Sequence, residues 1–220
     1  MPRSLLPTLL VASIALSPAS ASAQGARLPI GNDTSTWVGI SGQARLRGEG
    51  WSNFGAGAPA GADHDDVFGL SRLLLKGELH LRGRFSVVTE IKSSLVTSRD
   101  LAGGARLSDE DVLDVQQLFG EANASAGRTS LTARVGRFDL ALGRERLVSP
   151  LDWTNTRRAF QGASLQSARG ARVTQLFWVR PVAVERRQPN RPDSTRSLYG
   201  AQLSRSGPRV RTELYWLRSE

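Results

Sequence analysis

The chain is 220 residues long, 40% hydrophobic and free of cysteine, with a formal net charge of +9. The lack of cysteine excludes disulfide stabilisation and thiolate-bound metal. Of its 29 basic residues only Lys76 and Lys92 are lysines, a bias that suits planar, two-point recognition of carboxylates.

From the N-terminus, Arg3 precedes an apolar stretch over 5–16, and Pro18 and the small-residue run Ala-Ser-Ala-Ser-Ala over 19–23 follow. A basic start, an apolar segment of about a dozen residues and an A-x-A site have the form of a cleaved secretory signal. The expected domains are a signal peptide over 1–23 and one mature domain over 24–220. The apolar stretch is shorter than the roughly 20 residues that a spanning helix needs, and nothing downstream reaches that length. Export removes the setting in which basic charge would point to nucleic acid, so none is expected as a partner. Outer-membrane lipid and lipopolysaccharide, anionic polysaccharides and small anions remain.

The mature chain shows alternation rather than helical period. Over 38–48, Val38, Ile40, Gly42, Ala44, Leu46 and Gly48 share one face, and Gly39, Ser41, Gln43, Arg45 and Arg47 the other. Over 72–82, Leu73, Leu75, Gly77, Leu79 and Leu81 oppose Arg72, Lys76, Glu78, His80 and Arg82. Gly83 then marks a tight hairpin turn. Beyond it, Phe85, Val87, Thr89, Ile91 and Leu95 oppose Ser86, Glu90, Lys92 and Ser94. Weaker strands are predicted over 114–124, 130–142, 158–167, 171–182 and 196–204. The last, over 209–217, is clear: Val210, Thr212, Leu214 and Trp216 oppose Arg211, Glu213 and Tyr215.

These make about nine strands of the length and two-faced pattern that span an outer membrane. Their connections alternate. Short ones lie near Gly83, Gly127, Gly170 and Gly207; long ones, rich in Gly, Pro, Asp, Asn and Ser, run over 49–69, 98–113, 143–157 and 183–195. Short turns on one side and long loops on the other are the habit of outer-membrane barrels, whereas a soluble sandwich has no reason to alternate so strictly. The predicted fold is therefore all-β, an antiparallel transmembrane β-barrel in the bacterial outer membrane. The odd strand count and the ending Leu-Arg-Ser-Glu lead to the expectation of an N-terminal part of a larger barrel, of about 16–18 strands.

The polar faces collect Arg45, Arg47, Arg72, Lys76, Arg82, Lys92, Arg134 and Arg211, with Glu78, Glu90, Glu121 and Glu213 among them. In a water-filled lumen such a row would be a ladder of cationic sites, and rings of Arg and Lys select anions. The acids would act as salt-bridge partners that fix the arginine rotamers. Other constellations are weaker. Asp63-His64-Asp65-Asp66 reads as a solvated acidic loop tip, and 108–111 with Asp114 as a second acidic cluster. No spacing singles out a serine for either histidine, His64 or His80, and no phosphate loop or helical zinc motif occurs. No catalytic residue, metal or cofactor is expected.

The densest motif runs over 136–162 and contains Gly136-Arg137, Leu140-Ala141-Leu142-Gly143-Arg144-Glu145-Arg146-Leu147-Val148, Pro150-Leu151-Asp152-Trp153-Thr154-Asn155-Thr156 and Phe160-Gln161-Gly162. It resembles the alginate export family of outer-membrane barrels. Gln161 departs from the acid that members often carry there. The resemblance implies a monomeric, larger barrel that passively exports an alginate-like polyuronate through an arginine-lined pore. Arg137, Arg144 and Arg146 would then line the pore, and the loop carrying Asp152, Trp153 and Asn155 would pack against or over the lumen. Read without the resemblance, Asp152 and Asn155 serve equally as turn and capping residues, and Trp153 as an anchor at the lipid interface. The alternative functions are a general anion-selective porin for small solutes and, further off, a barrel enzyme acting on lipids.

Overall fold

The computed structural model describes residues 19–52, 65–97, 99–100 and 104–220. They form one antiparallel sheet of eleven strands in which almost every strand pairs with its neighbour in sequence. In chain order these are β1 (Ala19–Ile30), β2 (Asp33–Trp51), β3 (Asp66–Leu81), β4 (Phe85–Thr97), β5 (Asp111–Ala126) and β6 (Thr129–Phe138). They are followed by β7 (Phe160–Arg169), β8 (Arg172–Ala183), β9 (Arg191–Pro192), β10 (Leu198–Ser206) and β11 (Arg211–Ser219). The order across the sheet is β1 to β8, then β10 and β11, with β9 a short addition to the end of β8. β1 and β11 are the free edges, so the sheet is open in this structure.

All nine predicted strands are present, several of them longer than their sequence pattern. Two more join them. One is β9, too short to show a period. The other is β1, whose Ala, Ser and Gly residues carry little alternation. Ala19–Ala23 pair with Leu46–Gly42 of β2, and the register shifts between Ala23 and Ala26. Cleavage after Ala23 would remove the outer half of this strand. The basic and apolar parts of the predicted signal lie outside the described residues. Among the described residues no helix is long and apolar enough to cross a membrane.

The two faces of the sheet separate apolar from charged side chains in the sense opposite to a soluble domain. Leu73, Leu75, Ile91, Leu118, Val135, Trp178, Leu203 and Trp216 stand exposed along one face. On the other face Arg72, Lys92, Ser94, Asp111 and Gln116 are each no more than 2% exposed. A sandwich in water would cover the leucines and wet the charges. An apolar face left bare over most of the strands is instead a lipid-facing wall, with its polar face turned to the lumen. β2, β3 and β5, at 19, 16 and 16 residues, exceed the 9–11 residues or so that a tilted spanning strand needs.

The turns fall on one side. Gly83, Gly127 and Gly170 take φ of 62°, 60° and 56° in the short turns, a conformation that glycine adopts without steric cost. The long connections gather at the other end, and the one over 139–159 folds back across the polar face. Beneath it lies the one sizeable apolar cluster among the described residues: Val88, Phe119, Phe138, Leu140, Leu142, Val148, Phe160, Phe177 and Val179. Gly136 permits the close packing there, since its φ is 133° and a Cβ would run into the Leu118 carbonyl and Phe119. At ~25 cal/mol per Å² the burial of these aromatic and branched side chains is the term that holds the loop's root down. The loop's tip is held by other means.

Candidate channel constriction

The loop over 139–159 enters from the end of β6 and returns at the start of β7, and its root lies on the apolar cluster. Its tip crosses to β2, β3 and β4 and meets their charged side chains. Each carbonyl from residue 152 to residue 156 accepts a hydrogen bond from the wall. The Asp152 carbonyl accepts from Arg45 at 2.9 Å and Arg72 at 3.0 Å. The Trp153 carbonyl accepts from Arg47 at 2.6 Å. The Thr154 carbonyl accepts from Arg45 at 2.7 Å and Arg72 at 3.1 Å. The Asn155 carbonyl takes the Ser94 hydroxyl at 2.8 Å, and the Thr156 carbonyl takes Lys92 Nζ at 2.7 Å. Four of these five carbonyls thus meet a cation, where charge-assisted bonds are the strong kind, and the fifth meets a hydroxyl.

Asn155 closes the arrangement from the other side. Its amide nitrogen lies 3.0 Å from the Ser71 carbonyl, 3.1 Å from that of Leu95 and 2.8 Å from that of Asp109. One side chain therefore ties the loop to β3, to β4 and to the neighbouring loop over 98–110. The backbone amides of Asn155 and Thr156 also donate to the Ser108 carbonyl.

Of the predicted pore cations, Arg45, Arg47, Arg72 and Lys92 are thus committed to the loop. Arg72 also reaches Gln43 Oε1 and the Asp152 carboxylate, and Lys92 pairs with Asp111 at 3.0 Å. Lys76 pairs with Glu78. Arg134 pairs with Glu121 at 2.7 Å and lies over the Phe119 ring. Arg137 bonds Asp114, the Val115 carbonyl and the Asn190 carbonyl. Glu90 faces Arg157 and Gln117. Arg82 sits instead in the turn after β3, with φ of 50°. Arg144 and Arg146, on the loop itself, are exposed and without a hydrogen bond or ion pair among the described residues. With Leu147, Arg211, Glu213 and Tyr215 they line a cleft of about 520 Å³. A second cavity, of about 720 Å³, lies beside the tip and is lined by residues including Trp37, Gln43, Lys76, Glu78, Asp152 and Arg157.

The acidic clusters are corrected. Asp63 and His64 lie outside the described residues, but Asp66 is a buried partner of Arg99 at 2.7 Å rather than part of a solvated tip. Asp109, Asp111 and Asp114 are likewise buried, each on a cation. Burial opposes ionisation of Asp109, yet bonds from the Arg106 side chain and backbone and the charges of Arg106 and Arg99 outweigh it, holding the carboxyl below its ordinary 3.8.

Sequence reasoning missed Arg157, which joins Glu90, Asp139 and Asp152. It has φ of 53°, and nothing in its residue type announces that backbone. The serine partner of His80 was also missed. Ser86 Oγ lies 2.9 Å from His80 Nδ1 because β3 and β4 pair these residues directly. Ser86 is only 5% exposed, and the imidazole is stacked on Trp37 at 3.8 Å. The pair packs the lower wall rather than presenting a nucleophile.

Neither the curated proteins nor the solved structures gave a match to this chain. The family model described as alginate export matches residues 36–216, from near the start of β2 into β11. That match covers most of the chain and the whole of the loop-bearing wall, and the chain belongs to the alginate export family of outer-membrane transport proteins.

Proposed function

We propose that this chain builds the wall and constriction of an outer-membrane channel through which an anionic polysaccharide, an alginate-like polyuronate, passes without an energy source. The observation that carries the reading is the loop over 139–159. It lies across the polar face and presents Arg144 and Arg146 unpaired, beside Arg211. Membership of the alginate export family supports it independently.

The division of labour follows from the contacts. Wall cations Arg45, Arg47, Arg72 and Lys92 hold the loop, and the loop narrows the passage. The loop cations left to meet a moving polyanion are Arg144 and Arg146, while Arg211 beside them is paired with Glu213 at 2.6 Å. Paired charges such as Lys76 with Glu78 and Arg134 with Glu121 keep the lumen wet without trapping the polymer, because many weak sites favour conduction over binding. An open sheet edge is not stable in lipid, so the working channel is a closed sheet in which β1 and β11 both have strand partners.

Planar-bilayer recording tests the reading. A polyuronate added to one side should reduce the chloride current, and a neutral polymer of equal size should not. Unimpeded chloride flow in the presence of polyuronate would favour a porin for small anions and overturn the export assignment.

A further inference from the structure

Trp153 stands at the tip of the infolded loop, and its surroundings are unusual for an exposed tryptophan. Its side chain is 68% exposed and makes no ring contact among the described residues. Its backbone is among the most firmly held in the molecule. The carbonyls of residues 152, 153 and 154 are all bound by arginines, and the Thr154 amide and hydroxyl both bond the Leu151 carbonyl. A lone exposed apolar side chain needs no explanation when its backbone is free to move. Here a large rigid ring is carried by a fixed backbone on the polar face of the sheet, away from lipid, which also removes the anchoring role considered from sequence.

An indole has a negatively polarised face, and one side of a pyranose ring presents a patch of weakly positive C–H groups. A flat ring with few rotatable bonds offers that contact at low entropic cost when it is held in place beforehand. The neighbouring residues supply the polar half of such a site. The Arg47 guanidinium donates to the Trp153 carbonyl, and the exposed Asp152 carboxylate, paired with Arg72 and Arg157, is next in the chain.

We propose that Trp153 is a stacking platform for one sugar ring of the transported polymer, so that the constriction reads the ring as well as the charge. This rests on the polysaccharide reading above and adds to it. A purely electrostatic passage would treat any polyanion alike, whereas a ring platform favours a chain of pyranoses.

Equilibrium binding of a uronate hexasaccharide to the detergent-solubilised full chain tests it, with acetate as a carboxylate that has no ring. Trp153→Ala should weaken hexasaccharide binding about tenfold, the size of one good aromatic contact, and leave acetate unaffected. Trp153→Phe should recover most of the loss, which a merely structural role for the indole would not predict. The hexasaccharide should also perturb the tryptophan fluorescence of the wild type and not that of Trp153→Phe. Wild-type binding that is unchanged in Trp153→Ala overturns the platform while leaving the channel reading intact. No hexasaccharide binding by the wild type overturns both.

Discussion

Asn155 shows how much of this wall depends on single polar side chains. Its two amide hydrogens serve three carbonyls from β3, β4 and the 98–110 loop, so one of them is shared. Because the residue is 1% exposed, the three carbonyls have no bulk water to turn to if it is removed. Asn155→Ala should therefore cost about 1–3 kcal/mol, the usual penalty for stranding buried acceptors. Asn155→Asp should cost more, although it is nearly the same shape, because it turns a carboxylate toward three carbonyl oxygens. Thermal unfolding in detergent compares the two. Equal stability of the variants would mean that the amide's hydrogens do not hold the loop.

At the scale of elements, the loop over 139–159 and the loop over 98–110 stabilise each other, and the second adds a pH dependence. The folded pKa of Asp109 is depressed, so its contribution is fully present above the unfolded value and is lost as pH falls through the lower folded value. The protection factors of residues 104–110 and 154–156, corrected for the intrinsic pH dependence of amide exchange, should be flat from neutrality down to about pH 5 and should fall only in stronger acid. Asp109→Asn should blunt that acid limb, and an unaltered limb in the variant would remove Asp109 as its source. The strands were legible from sequence where alternation was strong, as with Leu73, Leu75 and Leu79 against Arg72, Lys76 and Glu78. β1 was not, because alanine and serine do not distinguish two faces and the same residues carry the form of a processing site. The infolding of the loop was visible only through the family motif. Its bonds run from wall side chains to backbone carbonyls, and a carbonyl leaves no mark on residue type. For the same reason Arg45, Arg47, Arg72 and Lys92 read as pore-lining cations, with no sign that each also donates to the loop.

For the whole molecule, the inverted polarity of the sheet is the deciding feature: bare leucines and tryptophans on one face, buried ion pairs and an infolded loop on the other. That arrangement suits a wall in a membrane with its charges toward water, and in the function proposed above the selective charges lie on the loop rather than on the wall. The reversal potential of single channels under a potassium chloride gradient tests this most directly. The wild type should be anion-selective, and the double variant Arg144→Glu/Arg146→Glu should lose or reverse that preference. A cation-selective wild type, or a double variant with unchanged reversal potential, would contradict the account.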